Sequence, residues 1–491
     1  MGTPFKTGEA REIPFTDFAP DLERDAKGII LDAQGAFPTV SGYQAFNQAL
    51  PHIYGPLPET PTGATVGLYS TGAIQHFAGG YQHLYGLQGT MDDPASVWTQ
   101  IDGLGPNAQF QAGKWRFAQY NDDMIAVGDM NVLPQVASGP AGGFGILPGG
   151  PPQGATIVLA VNSQVMMFVG NTWYVSAIGT DRVWVTNTGS PINGTQVQSG
   201  FAPITDFPGP VVAAQVLYRQ VVVFKNQGIW LMSYVGGDAI WSVQIISDVN
   251  GTWTQECTMA IPEGIAFFGL DDFYLCTGYT PVRIPNNLKE WFFDTADPSQ
   301  FAKMTSRYDP YHAIGYWHFV SKQPPFAGVP DRFVAYNFRA KRWAPGYLNT
   351  PCVPIPNYHF TSNADINGFY FDTSNVLQTF RGPAGNMRIL TGYMGEPGKI
   401  TQLMAVRPKY TNFPASESLQ AFHVQALGRP DRQGSPATLG QDRWFYLRQS
   451  ARYHRVQLEV SGSLTMTGTE NLLAGAEVTG FALQARETGD R

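Results

Sequence analysis

The residues with the most obvious chemical use in this chain are eight histidines, three cysteines and a few adjacent carboxylates. No two histidines stand in HxxxH or HExxH spacing, and no serine sits in a GxSxG elbow, so zinc-dependent hydrolysis and triad chemistry have no local signature. Cys257, Cys276 and Cys352 are odd in number and lack CxxC spacing, which points to buried free thiols rather than a disulfide framework or a zinc site. The pairs Asp92-Asp93, Asp122-Asp123 and Asp271-Asp272 fall in polar breaks between apolar runs. Glycosidase carboxylates need not be neighbours in sequence, so spacing leaves that chemistry open, but solvated turns are the expectation. Asn363-Ala364-Asp365-Ile366-Asn367-Gly368 matches the first half of a calcium loop, yet Ser374 stands where a bidentate Glu is required. Asn367-Gly368 is expected instead to form a hairpin turn. Ser247 to Trp253 resembles an Asp-box turn with its Asp one place out of register, and the sequons at Asn193 and Asn250 read as turns. No cofactor, no catalytic metal and no enzymatic activity are expected.

The densest basic stretch is Arg443, Arg448, Arg452, His454 and Arg455, interleaved with Trp444, Phe445, Tyr446 and Tyr453. Arginine beside aromatic rings suits a protein interface or nucleic acid. A solvated strand face is nevertheless the first reading, with a subunit interface second and DNA last. The four arginines are the candidates for interface or DNA contact.

The elements that would position these groups are strands. Val216 to Phe224 and Ile229 to Val235 flank Lys225-Asn226-Gln227-Gly228, and Ile265 to Phe268 and Phe273 to Cys276 flank a second polar break. Such runs predict hairpins. They are apolar on both faces, whereas a sheet with one wet face alternates. Each hairpin is therefore expected to lie between neighbouring sheets, as in a β-propeller. The pattern recurs around residues 80, 122, 171, 227, 271 and 375, with a further unit at 316 to 343, at intervals that match the roughly 40 to 50 residues of a blade. Six or seven blades are predicted.

The expected domains are an extended N-terminal arm over 1–60, interrupted by prolines and carrying a short strand at Gly28 to Leu31, a propeller over 61–394 and a C-terminal β-sandwich over 395–491. In the last of these, Ile400 to Tyr410, Leu419 to Ala426, Trp444 to Leu447, Tyr453 to Val460 and Val478 to Gln484 read as strands. Val456, Leu458 and Val460 share one face, and Arg455, Gln457 and Glu459 the other. Between Ser138 and Gly154 seven Gly and four Pro without a charge predict an irregular loop with no packed core.

Only 14% of residues are charged and the net charge is −7. The acidic excess lies before Gly395. Neither part is a basic nucleic-acid grip. With 54 Gly and 37 Pro, the chain is turn-dense but below the roughly 25–30% of low-complexity disorder. It has no basic start with an apolar h-region and no apolar run near 18 residues, and Lys6 stands where a myristoylation motif needs Ser or Thr. A soluble protein made in the cytoplasm, without stable membrane insertion, is expected.

Several segments in order resemble the propeller-bearing tail hub, or nozzle, proteins of short-tailed bacteriophages, which include packaged-DNA stabilisation (head-completion) proteins. They are Asp17-Phe18-Ala19-Pro20-Asp21 with Gly28, Phe37-Pro38-Thr39-Val40-Ser41-Gly42-Tyr43, Gly228 to Gly236, Leu270 to Tyr274 and Trp291-Phe292-Phe293. Asp331 to Asn337 with Arg342-Trp343, and Ala451 to Arg455, complete the series. The chain departs from the family at Gln34-Gly35-Ala36, where an Asn-containing stretch is usual, and in the Gly/Pro loop after Leu133. The resemblance implies a structural virion protein of the tail, made in the host cytoplasm and acting as a homo-oligomer, a hexameric ring. It implies portal-adaptor proteins and tail fibre or spike proteins as partners, and double-stranded DNA passing through the lumen with weak contacts. The Pro-rich arm, lacking a core of its own, is then expected to be ordered by a neighbouring subunit or the adaptor. The competing classes are a propeller glycosidase or a carbohydrate-binding propeller acting on host-surface polysaccharide.

Overall fold

The computed structural model describes residues 10–490 apart from 54, 90–92, 106–107, 186–197, 326–327, 357–368, 381, 397, 435 and 463–474. The half calcium loop at Asn363 to Gly368, the sequon at Asn193 and the residue Asp92 lie outside the described residues.

The described chain is all-β, with one short helix, α1 (Lys289–Thr295), and two 3₁₀ turns. Its larger part is a succession of antiparallel sheets that begin with Gly63–Leu68, Trp115–Tyr120, Ile157–Val161, Ala213–Leu217, Thr258–Ile261 and Thr305–Asp309. Each of the six runs on through three further antiparallel strands. Ile355–Pro356 is added in parallel to Gly63–Leu68. A three-stranded sheet follows, made of Phe369–Phe371, Leu377–Thr379 and Leu50–Ile53. The first strands of consecutive sheets adjoin one another.

Face-to-face packing explains the doubly apolar runs. In Gln220–Phe224, Val221 and Val223 face the third sheet, in one core with Met166 and Phe168. Val222 and Phe224 face the fifth, in another core with Ile265 and Phe267. The Phe224 and Phe267 rings are 5.0 Å apart. The same logic joins the fifth sheet to the sixth through Phe273 and Trp317, 5.0 Å apart. Ile53, Phe371 and Leu377 of the three-stranded sheet pack on Ala78, Tyr85 and Trp98 of the first. The arrangement is propeller-like.

The predicted turns at 121–122, 170–171, 225–228 and 269–272 join strands as expected. Gly228 in one of them adopts φ +101°, open to glycine because it has no Cβ. The run Val216 to Phe224 is not one strand. It folds back at Tyr218-Arg219, with Tyr218 at φ 57° and Leu217 paired to Gln220.

The Gly/Pro segment 138–154 is more ordered than its composition predicts. Phe144–Ile146 pairs with Gln135–Ser138 as the edge strand of the second sheet. Phe144 is buried 5.5 Å from Phe77, and Leu147 is buried as well. Two large apolar side chains inserted into a neighbour's core outweigh the cost of ordering glycines.

The second unit is a two-sheet sandwich, and its boundaries differ from those expected. One sheet runs Ala36–Pro38, Tyr43–Ala45, Glu477–Asp490, Lys399–Asn412, Phe445–Ala451 and Thr438–Leu439, with Arg11–Pro14 also on Glu477–Asp490. The other runs Ile30–Gln34, Asn386–Thr391, Tyr453–Ser461, Ser416–Val424 and Arg432–Gln433, with Met394–Gly395 on Tyr453–Ser461. Ile13, Ile30, Tyr43, Ile389, Leu403, Leu458 and Phe481 share its core. The N-terminal segment is thus no free arm: it supplies four short strands to the sandwich and Leu50–Ile53 to the three-stranded sheet. Residues 386–395 belong to the sandwich and not to the propeller-like part. Strands of three to five residues broken by proline carry too little periodicity to be read alone. Here the long C-terminal strands provide their backbone partners.

No helix of the described residues is long and apolar enough to cross a membrane.

Candidate functional site

The four candidate arginines do not form one patch. In Phe445–Ala451 the side chains of Phe445 and Leu447 enter the sandwich core while Arg448 is exposed on the outer face. In Tyr453–Ser461, Val456 and Leu458 enter that core from the opposite sheet, so Arg455 lies on the other outer face. Arg455 is ion-paired with Asp431 and sits over the rings of Tyr393 and Phe422, at 5.3 and 5.4 Å. Arg443 lies 4.5 Å over Phe413 and 3.7 Å from the buried Glu417. Arg452 is half-buried between the two strands. His454 is buried, near Thr401 and Gln449, and burial lowers its pKa to about 4.

The carboxylate pairs serve turns. Asp93 accepts from the backbone of Ala95, and Asp122 accepts from the Ser70 backbone. Asp123 pairs with Arg182, Asp271 with Arg283 and Lys289, and Asp272 accepts from Phe273 N and Asn286. Among the described residues no group of three His, Cys, Asp or Glu side chains is placed to hold a metal ion. All three cysteines are buried and free.

What converges instead is a junction between the N-terminal segment, the sixth sheet, α1 and the sandwich. Asp17 accepts hydrogen bonds from the backbone N–H of Trp343 at 2.7 Å and of Phe18 at 2.8 Å. Burial pushes its carboxyl up to about 6, against those two bonds and the nearby Arg342. Arg342 Nη1 donates to the carbonyls of Thr39 and Gly42, its Nη2 to that of Phe15, and its guanidinium lies over Tyr43. Asn337 donates to Pro38 O at 2.8 Å, and Tyr43 donates to Trp343 O at 3.1 Å. Asp21 accepts from the N–H groups of Glu290 and Trp291. It caps α1 from 269 residues away, since Leu288 at the N-cap has no side-chain acceptor and a helix start leaves such donors open. Phe18 stacks edge-on to Trp291 at 5.0 Å. Gly42 is required here because a Cβ would lie 2.0 Å from Val478 O.

A second cluster joins sheets that are not neighbours. Lys114 and Arg116 lie at the start of the second sheet and Glu256 just before the fifth. Arg116 Nε is 2.7 Å from Glu256 Oε1, and Lys114 Nζ is 3.1 Å from Oε2. Arg116 also donates to Thr156 O, ahead of the third sheet, and Lys114 to Ala302 O, ahead of the sixth. Burial alone would raise the Glu256 pKa, but Arg116 and Lys114 outweigh it and hold the carboxyl well below its usual range. The cluster thus ties the second, third, fifth and sixth sheets together. Sequence reasoning missed it. The partners are 140 and 142 residues apart, and nothing local in Gln255-Glu256-Cys257 marks it.

No protein-family model matches the chain, and no curated protein is similar to it in sequence. Among solved structures the chain is similar to the AfRom2 CNH domain, with a TM-score of 0.39 and 8% identity over 68% of this chain and 97% of that one. It is similar to BamB from Moraxella catarrhalis, with a TM-score of 0.34 and 10% identity over 76% and 97%. PorZ of Porphyromonas gingivalis, a surface component of the type-IX secretion system, gives 0.39 and 11% over 86% of this chain and 53% of its own length.

Proposed function

We propose that this chain is a structural protein of the tail of a short-tailed bacteriophage, in which copies form the hub or nozzle ring below portal and adaptor. In this reading the ring retains the packaged genome and conducts it at ejection. The first six sheets and the three-stranded one are the seven blades of a propeller, and the sandwich, built from both ends of the chain, is the second module of each subunit.

The observation that carries the reading is the junction. Asp17, Phe18, Asp21, Pro38, Thr39, Gly42 and Tyr43, Trp291, Asn337, and Arg342 and Trp343 belong to the scattered segments that resemble the family. In space they bond to one another. Segments hundreds of residues apart that share one contact network are those a family must keep together to hold its domains in register. In this reading Glu256, Arg116 and Lys114 fill the centre of the propeller, so a duplex does not thread one propeller and the lumen lies between copies. Heterologous contacts that close around an axis make such a tube, whereas an isologous dimer cannot. The acidic excess suits a wall along which DNA slides, since phosphate-binding cations would retain it. The glycosidase reading needs free carboxylates at the centre of the sheets, and Glu256, which reaches it, is neutralised by two cations.

Particle mass tests the proposal. Native mass spectrometry of extracted tails, and of the purified chain mixed with portal and adaptor, is expected to give a closed ring of six copies. A chain that remains monomeric in extracted tails overturns it.

A further inference from the structure

Between the sixth sheet, the three-stranded sheet and the N-terminal segment lies a cavity of about 60 Å³. At about 10–15 Å³ per water-sized position, it has room for roughly four to six heavy atoms. Its walls are mostly apolar, with Phe46, Phe333, Phe369 and Phe380 among them. Among the described residues one arginine, Arg307, faces it. Arg307 is 8% exposed, its Nη1 makes a long 3.4 Å bond to Phe369 O, and its Nε has no partner among the described residues.

The Asp309 carboxylate favours the Arg307 cation through its charge but makes no hydrogen bond to it. Asp309 shares the Arg307 face of its strand but is committed elsewhere: Oδ1 accepts from Tyr311 N and His312 N, and Oδ2 lies 2.6 Å from His312 Nδ1. Next to Arg307, His318 is 5% exposed and its Nδ1 also lacks a partner among the described residues. Burial first, and then Arg307, lower the His318 pKa to about 3, so its ring is neutral at neutral pH. A buried guanidinium with unmet donors is costly, and a charge-assisted bond to an anion removes much of that cost.

We propose that this cavity binds a small monocarboxylate with a short apolar body, its carboxylate on Arg307 and His318 and its hydrocarbon among the phenylalanines. A neutral ligand of the same shape gives the unpartnered Arg307 Nε no charge-assisted bond, and an inorganic anion leaves the apolar walls unfilled. The inference does not depend on the tail reading.

The probe is isobutyrate, titrated into the full chain by calorimetry and ligand-observed NMR beside its neutral isostere isobutyramide. The expected result is one saturable site per chain, with isobutyrate binding at least tenfold more tightly than isobutyramide. Arg307→Met is expected to abolish the difference, and Phe333→Trp to block binding by filling the space. No saturable uptake of isobutyrate, equal binding of acid and amide, or unchanged binding in Arg307→Met overturns the proposal. Should Arg307→Met fail to fold, the ratio of acid to amide on the unaltered chain still decides it.

Discussion

Glu256→Gln is the sharpest perturbation of the cluster of Lys114, Arg116 and Glu256. The substitution keeps the side-chain volume and removes the charge, leaving Lys114 and Arg116 facing an amide that brings its own N–H donors. Breaking a buried pair by removing one partner costs roughly 3–5 kcal/mol. The side chains of Lys114, Arg116 and Glu256 retain 26%, 17% and 14% exposure, and the carbonyls of Thr156 and Ala302 still accept from the cations. The cost therefore sits at the low end, about 3 kcal/mol. With a denaturant slope of about 3 kcal/mol/M, the urea midpoint falls by about 1 M. The pH dependence adds a signature. The Glu256 carboxyl titrates well below its unbound value of 4.5, so its stabilisation is complete above that value and is lost as pH falls through the folded pKa. The lead of the unaltered chain over Glu256→Gln must then shrink below about pH 4.5. Adding Lys114→Met to Glu256→Gln removes one orphaned cation and is expected to recover part of the loss. A midpoint that moves by less than a third of the expected shift, with a lead independent of pH, would mean that the cations are solvated without Glu256.

Asp17 carries the opposite sign. Its folded pKa of about 6 lies above the usual 3.8, so its contribution is present below the lower value and lost as pH rises through the upper one. Asp17→Asn should flatten the change in melting temperature between pH 4 and 7, and an unchanged profile would show that Asp17 is solvated. Deleting residues 1–40 removes Arg11–Pro14, Ile30–Gln34 and Ala36–Pro38 from both sheets of the sandwich. It is expected to expose the sandwich core to dye binding and proteolysis; a truncated chain as protease-resistant as the full one would show that these strands are dispensable. Trp343→Ala, at a residue with 0% exposure, should cost about 3–5 kcal/mol, read as a fall in the unfolding midpoint. Arg448→Ala is expected to leave stability unchanged and Arg455→Ala to lower it. Neither should alter duplex DNA affinity, which is expected to be weak and to vanish with added salt; binding that persists at high salt and is lost in Arg448→Ala would place a nucleic-acid site on that face.

The strand content and the layered packing were legible in the residues themselves. Val221 to Phe224 are apolar at consecutive positions, and a strand has two faces, so both had to be covered whatever the partners were. Turns such as Asn121-Asp122 and Gly170-Asn171 were legible for a similarly local reason, because few residues accept their backbone geometry. The core face of Val456, Leu458 and Val460 followed from period two alone. The tertiary structure decided which distant pieces meet. Ile13 and Phe15 reach the same core as Phe481 only because Arg11–Pro14 takes an edge of Glu477–Asp490, and a four-residue strand beside a proline states no partner. Phe144 looked like part of a loop because its glycine neighbours carry no pattern, yet its ring packs edge-on to that of Phe77. Glu256 is one charge in an unremarkable segment until the packed sheets bring Lys114 and Arg116 to it. Local sequence specifies backbone preference and burial, both of which act over a few residues. Hydrogen bonds and ion pairs across hundreds of residues depend on where closure of the fold places each end.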